Sequence, residues 1–276
     1  MFRFAAAFLL IFSLFSCEKT RSLWQYRGAD TSNVIAEDFD FSAFFSKILE
    51  RAKLPKNIYA HIQESIELEP DFIIELFTIL QTDPNLWLLV DKEHPLSENY
   101  EPENLVELGN GSYRVNRSGL FLRKDAAASL EEMAVAAKAD GLTLLASSAY
   151  RSYGYQTEVY ARNVREMGQE EADRVSARPG NSQHQLGLVV DFGSITDAFA
   201  QTAEGRWLAA NASRFGWSLS FPEGMEEVTG YRWESWHYRY VGKELAVFID
   251  NYFEGIQQYA LQFIHEFKNN TADLNK

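Results

Sequence analysis

The chain has 276 residues, of which 46% are hydrophobic, 39 acidic and 26 basic, giving a formal net charge of −13. That composition excludes a disordered chain and supplies apolar matter for one domain of ordinary size plus an appendage. It also argues against nucleic acid as a partner and against an anionic membrane surface as the main one, because both need positive potential; any anionic ligand must be met by local charge.

The opening "MFRFAAAFLLIFSLFSC" has one cation, Arg3, and an apolar run over residues 4–15 that is too short to span a bilayer comfortably. It predicts an export signal over residues 1–16. The stretch "LFSC" resembles the bacterial lipobox, with Leu14 three before the cysteine and Ser16 just before it. Cys17 is the only cysteine, so no disulfide forms within the chain, and its thiol is the expected site of lipidation. The reading is a lipoprotein held at a bacterial membrane and facing an extracytoplasmic space. Residues 17–40 are polar and aperiodic and read as a tether.

Three amphipathic helices are predicted over residues 41–53, 56–68 and 70–81, with Pro55, Pro70 and Pro84 as punctuation, making an N-terminal helical segment over residues 41–85. His61 has no metal-ligand neighbour at helical spacing and reads as structural or surface. A short apolar strand is expected over residues 86–90. An alanine-rich helix over residues 122–141 feeds the strand "LTLLASSAY", and helices follow over residues 154–167 and 203–215, the latter before the strand "WSLSF". Residues 186–190 read as a buried strand, and residues 243–268 as one long helix rich in Phe and Tyr. Strands interspersed with helices, without regular βαβ alternation, predict an α+β domain over residues 86–250. Its small mixed or antiparallel sheet is flanked by helices, and a C-terminal helix and tail occupy residues 251–276.

In "NSQHQLGLVVDFG", His184 and Asp191 bracket the apolar run, and burying either without a partner costs several kcal/mol, roughly. A second pair, Glu234 and His237, lies in "RWESWHYRY". Two histidines and one carboxylate form a three-ligand set suited to zinc, with a fourth position open as catalytic sites require. Glu234 is then placed to stay off the metal and act as a general base toward water. Trp236, Tyr238 and Tyr240 flank this motif and are candidates for the wall of a pocket.

Together, "SSAYRSYGYQ", "SARPGNSQHQLGLVVDF" and "TGYRWESWHYRYVG" resemble the signature of VanY-type D-alanyl-D-alanine carboxypeptidases, zinc peptidases of the bacterial cell wall. The likeness runs with interruptions over residues 88–242. It implies that Zn2+ is held by His184, Asp191 and His237, that Glu234 is the catalytic base, and that Arg151 binds or stabilises the scissile carbonyl oxygen. It further implies that Gln156, Ser182 and Arg151 contact the substrate, to which Trp236 is added as a wall residue. Ser235 stands where the family most often has proline, and Gln183 where glutamate is commoner; neither is a ligand. The expected reaction is removal of the terminal D-alanine from peptidoglycan stem peptides by a monomer. L,D-carboxypeptidase or endopeptidase activity on the same peptides is the alternative within this chemistry, and a non-catalytic wall-binding lipoprotein the alternative outside it.

Overall fold

A computed structural model describes residues 41–68, 70–109 and 111–274. The predicted export signal, Cys17 and the whole tether lie outside the described residues. The described residues divide into two compact units, one up to Thr82 with the residues from Glu266 on and a larger one of Asp83–His265.

The smaller unit is helical. Helices α1 (Phe41–Arg51), α2 (Lys56–Leu68) and α3 (Pro70–Leu80) form where apolar residues recur at helical spacing. Phe45, Ile48 and Leu49 of α1, Ile58 and Ile62 of α2, and Phe72, Leu76 and Ile79 of α3 are buried. Each such side chain contributes about 1.5–3 kcal/mol. The Phe267 ring meets those of Phe44 and Phe77 edge-on, both at 6.0 Å between centroids. His61 is exposed.

The larger unit begins with α4 (Pro84–Trp87), where a strand over residues 86–90 is expected. Asp83 explains the difference: its carboxylate accepts the Asn85 N–H at 2.9 Å and Pro84 takes the first helical position, so the apolar run starts as a helical turn. Strand β1 (Leu105–Glu107) pairs antiparallel with β3 (Phe121–Arg123), while β2 (Arg114–Val115) joins the main sheet. There follow α5 (Lys124–Ala139), β4 (Leu145–Ser148), α6 (Tyr153–Met167), α7 (Gln169–Val175) and β5 (Val189–Phe192). The rest is α8 (Ala203–Asn211), β6 (Trp217–Leu219), α9 (Glu226–Thr229), β7 (His237–Tyr240), α10 (Lys243–Tyr252) and the first part of α11 (Gln257–Leu274), whose residues from Glu266 on belong to the smaller unit.

The main sheet has the order β2-β4-β5-β7-β6. The β2–β4 pair is parallel and the others antiparallel, as the mixed α+β expectation requires. Alternation along the strands sorts the side chains. Val190, Phe192, Trp217 and Tyr238 join Leu130, Met133 and Ala134 of α5 in one apolar core. Asp191 and His237, cross-strand neighbours in register, are set on the other side.

Two further expectations are corrected. The run over residues 186–190 is not one strand: Gln183–Leu186 is a 3-10 turn closed by Gly187 at φ 67°, and the strand starts at Val189. The C-terminal helix is two helices, because Glu254 and Gly255 both take left-handed backbone (φ 53° and 73°) and the Gly255 N–H returns to the Ile249 carbonyl at 3.1 Å.

Candidate active site

The three predicted ligands arrive from three short pieces of chain. His184 lies in the 3-10 turn, and the left-handed Gly187 that ends this turn suits glycine, since a Cβ there would be strained by the positive φ and would press on Leu105 and Pro102 carbons at 3.0 Å. Asp191 is inside β5 and His237 opens β7, opposite each other in register. All three are buried, and their donor atoms lie within 4.8 Å of one another. His184 Nε2 is 3.3 Å from Asp191 Oδ2, and His237 Nδ1 is 3.2 Å from Asp191 Oδ1. Tetrahedral zinc bonds of about 2.0–2.2 Å place ligand atoms roughly 3.3–3.6 Å apart, so each histidine lies near the spacing from the carboxylate that the ion requires.

The outer partners agree. His184 Nδ1 is 2.6 Å from the Ala149 carbonyl, which can only accept, so the ring hydrogen is on Nδ1 and the Nε2 lone pair faces the carboxylate. Asp191 Oδ1 is buried and accepts no aligned hydrogen bond from any described residue, leaving an acceptor that a cation would satisfy. Burial, with the Arg151 cation beside it, pushes His184 down to about 4, which keeps the imidazole neutral as a ligand must be. Burial works against ionisation of Asp191, yet the His184 and His237 imidazoles hold its carboxyl well below the usual range. His237 is likewise opposed by burial but drawn upward by Asp191 and Glu234.

Glu234 Oε2 lies 3.3 Å from His237 Nδ1, on the rim of the triad and partly open to solvent. Arg151 follows β4 and precedes Ser152, the cap of α6, and its own N–H bonds the His184 carbonyl at 3.3 Å. Its Nη2 reaches His184 Nε2 at 2.8 Å and Asp191 Oδ2 at 3.0 Å, and its Nε donates to Ser148 Oγ at 3.3 Å. The guanidinium and a metal ion therefore use the same lone pair of His184.

One cavity of about 310 Å³ is lined by His184, Asp191, His237, Glu234, Arg151, Ser182 and Trp236, which brings seven of the eight predicted site residues within the described chain together. Gln156 is the exception. It is 1% exposed and off the cavity wall: its Oε1 accepts from Arg151 Nη1 at 3.2 Å and its Nε2 donates to the Ala177 carbonyl at 2.7 Å. It braces Arg151 from behind. Tyr238 and Tyr240 point into the core, against Phe192 and Trp217. Trp236 belongs to both the core and the wall. Sequence reasoning missed Asn181, Tyr231, Arg117 and Arg162 on this wall; Asn181, beside Ser182, and Tyr231, in the motif that holds Glu234 and His237, had local cues.

Residues 119–243 match the VanY family, described as D-alanyl-D-alanine carboxypeptidase. The chain is 36% identical over 193 residues to "Putative carboxypeptidase YodJ" of Bacillus subtilis (strain 168), covering 65% of this chain and 71% of that protein. Among solved structures, the LD-carboxypeptidase LdcB is 36% identical, with a TM-score of 0.57 over 63% of this chain and 88% of LdcB. A variant of the vancomycin-resistance D,D-pentapeptidase VanY, in complex with Zn(II), is 32% identical, with a TM-score of 0.53 over 63% of this chain and 98% of its own. The donor geometry and these likenesses agree, and the chain belongs to the VanY family of D-alanyl-D-alanine carboxypeptidases, as a zinc metallopeptidase.

Proposed function

We propose that this protein removes the terminal D-alanine from peptidoglycan stem peptides outside the cytoplasm, held at a membrane by a lipid on Cys17. The observation that carries the reading is the buried triad of His184, Asp191 and His237 with Glu234 and Arg151 on the wall of the same cavity. In this reading residues 86–250 are the catalytic domain, residues 41–85 a helical segment and residues 251–276 a C-terminal helix and tail, with residues 17–40 as the tether. The "LFSC" stretch supports the anchor, and the net charge of −13 makes a covalent lipid a better means of membrane attachment than surface electrostatics.

Zinc held by His184, Asp191 and His237 supplies Lewis acidity to water and to the scissile carbonyl. Glu234 takes a proton from the attacking water and gives it to the amine nitrogen as the C–N bond breaks. Arg151 donates to the carbonyl oxygen as negative charge develops there; its guanidinium is bonded by Gln156 and Ser148 and gives up its contact with the His184 lone pair when that lone pair serves the metal. Ser182 and Trp236 line the space where the peptide end lies. A wall-binding protein without activity has no use for Glu234 beside the triad.

Incubating zinc-loaded protein with pentapeptide and tetrapeptide stems, and identifying the released residue by mass, tests the reading. D-Alanine released from the pentapeptide supports it; no release from either stem returns the protein to the binding class. The likeness to LdcB favours a second reading, cleavage of the tetrapeptide, which the same assay separates.

A further inference from the structure

A second cavity, of about 270 Å³, lies beside the catalytic one: Ser176, Asn181 and Tyr231 line both, and Lys92, Asp173 and Arg178 line only the second. Its charge runs against that of the chain. Arg178 holds both oxygens of Asp173, at 3.0 and 2.9 Å, and cancels that carboxylate. Glu226, the acid that interacts with Lys92 across solvent, is gripped by Arg174 at 2.6 and 2.9 Å. Lys92 forms no ion pair among the described residues, so of the charged side chains that line the cavity one cation is unmatched, with the buried Asp91 carboxylate behind the wall.

That charge is held in place. The Lys92 ammonium sits 4.9 Å from the centroid of the Tyr231 ring. Its stem crosses Gly230, where a Cβ would approach Lys92 Cδ to 3.0 Å. Tyr231 is 5% exposed; its N–H donates to Thr229 Oγ1 at 3.2 Å and its ring meets Phe221 edge-on at 5.1 Å. Phe221 in turn packs on the His237 ring at 4.7 Å. The Tyr231 hydroxyl, shielded from solvent, has no hydrogen-bond partner among the described residues. A buried donor without an acceptor costs about 1–3 kcal/mol, so it marks a place where an acceptor belongs.

We propose that this second cavity is a carboxylate subsite, in which Lys92 and the Tyr231 hydroxyl bind the side-chain carboxylate of the substrate residue that precedes the terminal dipeptide. The inference rests on the carboxypeptidase reading above. The terminal carboxylate has cations of its own, since Arg117 and Arg162 line the catalytic cavity and form no ion pair among the described residues. A group upstream of the scissile bond is displaced along the chain by about 3.3–3.6 Å per residue and needs a space beside the metal cavity.

Two peptides ending in the same dipeptide, one with a carboxylate and one with the corresponding carboxamide on the residue before it, test the assignment. Wild-type protein should show KM about tenfold lower for the carboxylate peptide, the effect of one charge-assisted hydrogen bond. Lys92→Met should erase that preference while zinc content, kcat and KM for the carboxamide stay within about twofold; Tyr231→Phe should reduce it by about threefold. Equal KM for the two peptides in wild type, or a Lys92→Met penalty equal for both, overturns the subsite, the latter by transferring Lys92 to the terminal carboxylate. Titrating zinc-loaded Glu234→Gln protein with both peptides reads the preference as a ratio of Kd without turnover. Failure of the carboxypeptidase reading then appears as no released alanine, and failure of the subsite as equal Kd.

Discussion

Asp191 and Arg239 are both wholly buried charges on neighbouring strands, and they are satisfied in opposite ways. Asp191 in β5 meets two imidazoles and a guanidinium. Arg239 in β7, two residues beyond His237 and opposite Val189, meets no acid: its Nη2 donates to the carbonyls of Asn85, Leu86 and Leu88 at 3.1, 3.1 and 2.9 Å. Its Nε and Nη1 have no hydrogen-bond partner among the described residues. Burial pushes the guanidinium down to about 9, which still leaves it charged at neutral pH. A buried charge ringed by ionisable donors around a common point is equipped for a ligand. One ringed by neutral carbonyls ties chain to chain, here binding the α4 segment beneath the sheet.

If that contrast holds, substitutions at the first charge abolish function and those at the second lower stability. The largest effect is expected for Asp191→Asn, which removes the only anionic ligand while keeping nearly the same shape. Zinc content should fall to background and D-alanine release become undetectable, as metal analysis and the peptide assay would report. Zinc retained at wild-type stoichiometry would mean that the ion is held elsewhere. Next comes Glu234→Gln, expected to keep its zinc and its melting behaviour and to lose about 10²–10⁴-fold in kcat, the usual contribution of a positioned acid–base group. A kcat within tenfold of wild type would remove Glu234 from the proton path.

How far the sequence foretold this contrast depends on what kind of signal each residue leaves. The grouping of His184, Asp191 and His237, with Glu234 beside it, was legible because ligand chemistry restricts residue type and spacing, and the flanking motifs carried a family resemblance. The helices of the smaller unit were legible from periodicity, to within one or two residues for α1, α2 and α3. Residues 86–90 were misread because a five-residue apolar run has no period to show; Asp83 and Pro84 just before it were the informative residues. The break after α10 was hidden by Glu254, a residue type that seldom adopts left-handed backbone. Arg239 left no trace at all, since its partners are backbone carbonyls more than 150 positions away. The pairing of Lys92 with Tyr231 is equally silent, because only the fold brings the two together.

Arg239→Met tests the structural half of the comparison. The three carbonyls lose their shared donor, for an expected cost of about 1–3 kcal/mol in denaturant unfolding. Removal of an unpaired buried charge works the other way and keeps the figure from being larger. Zinc content and kcat should stay within about threefold of wild type, because none of the bonds that Arg239 makes reaches the triad. A loss of zinc with unchanged stability would place Arg239 among the determinants of the site and end the contrast.

Asp91 lies between the two extremes and should give the smallest effect. Its carboxylate is buried like that of Asp191, but its partners are one imidazole and several neutral donors: His94 Nδ1 at 2.7 Å, the Glu93 and His94 N–H groups at 2.9 Å, and Gln258 Nε2 at 2.8 Å. Burial raises its pKa, yet these bonds outweigh burial and hold the carboxyl below its ordinary value. A group whose folded pKa is depressed binds fewer protons folded than unfolded. Its stabilisation is therefore complete above the unfolded value, about 3.9, and fades as the pH falls from there through the lower folded value. Asp91→Asn should accordingly be less stable than wild type by about 1 kcal/mol at pH 6, and the gap should narrow when unfolding is measured near pH 3. A gap that stays constant over this range would mean that the neutral hydrogen bonds alone stabilise this corner, which would group Asp91 with Arg239; a gap that widens toward acid would reverse the assigned direction of the shift.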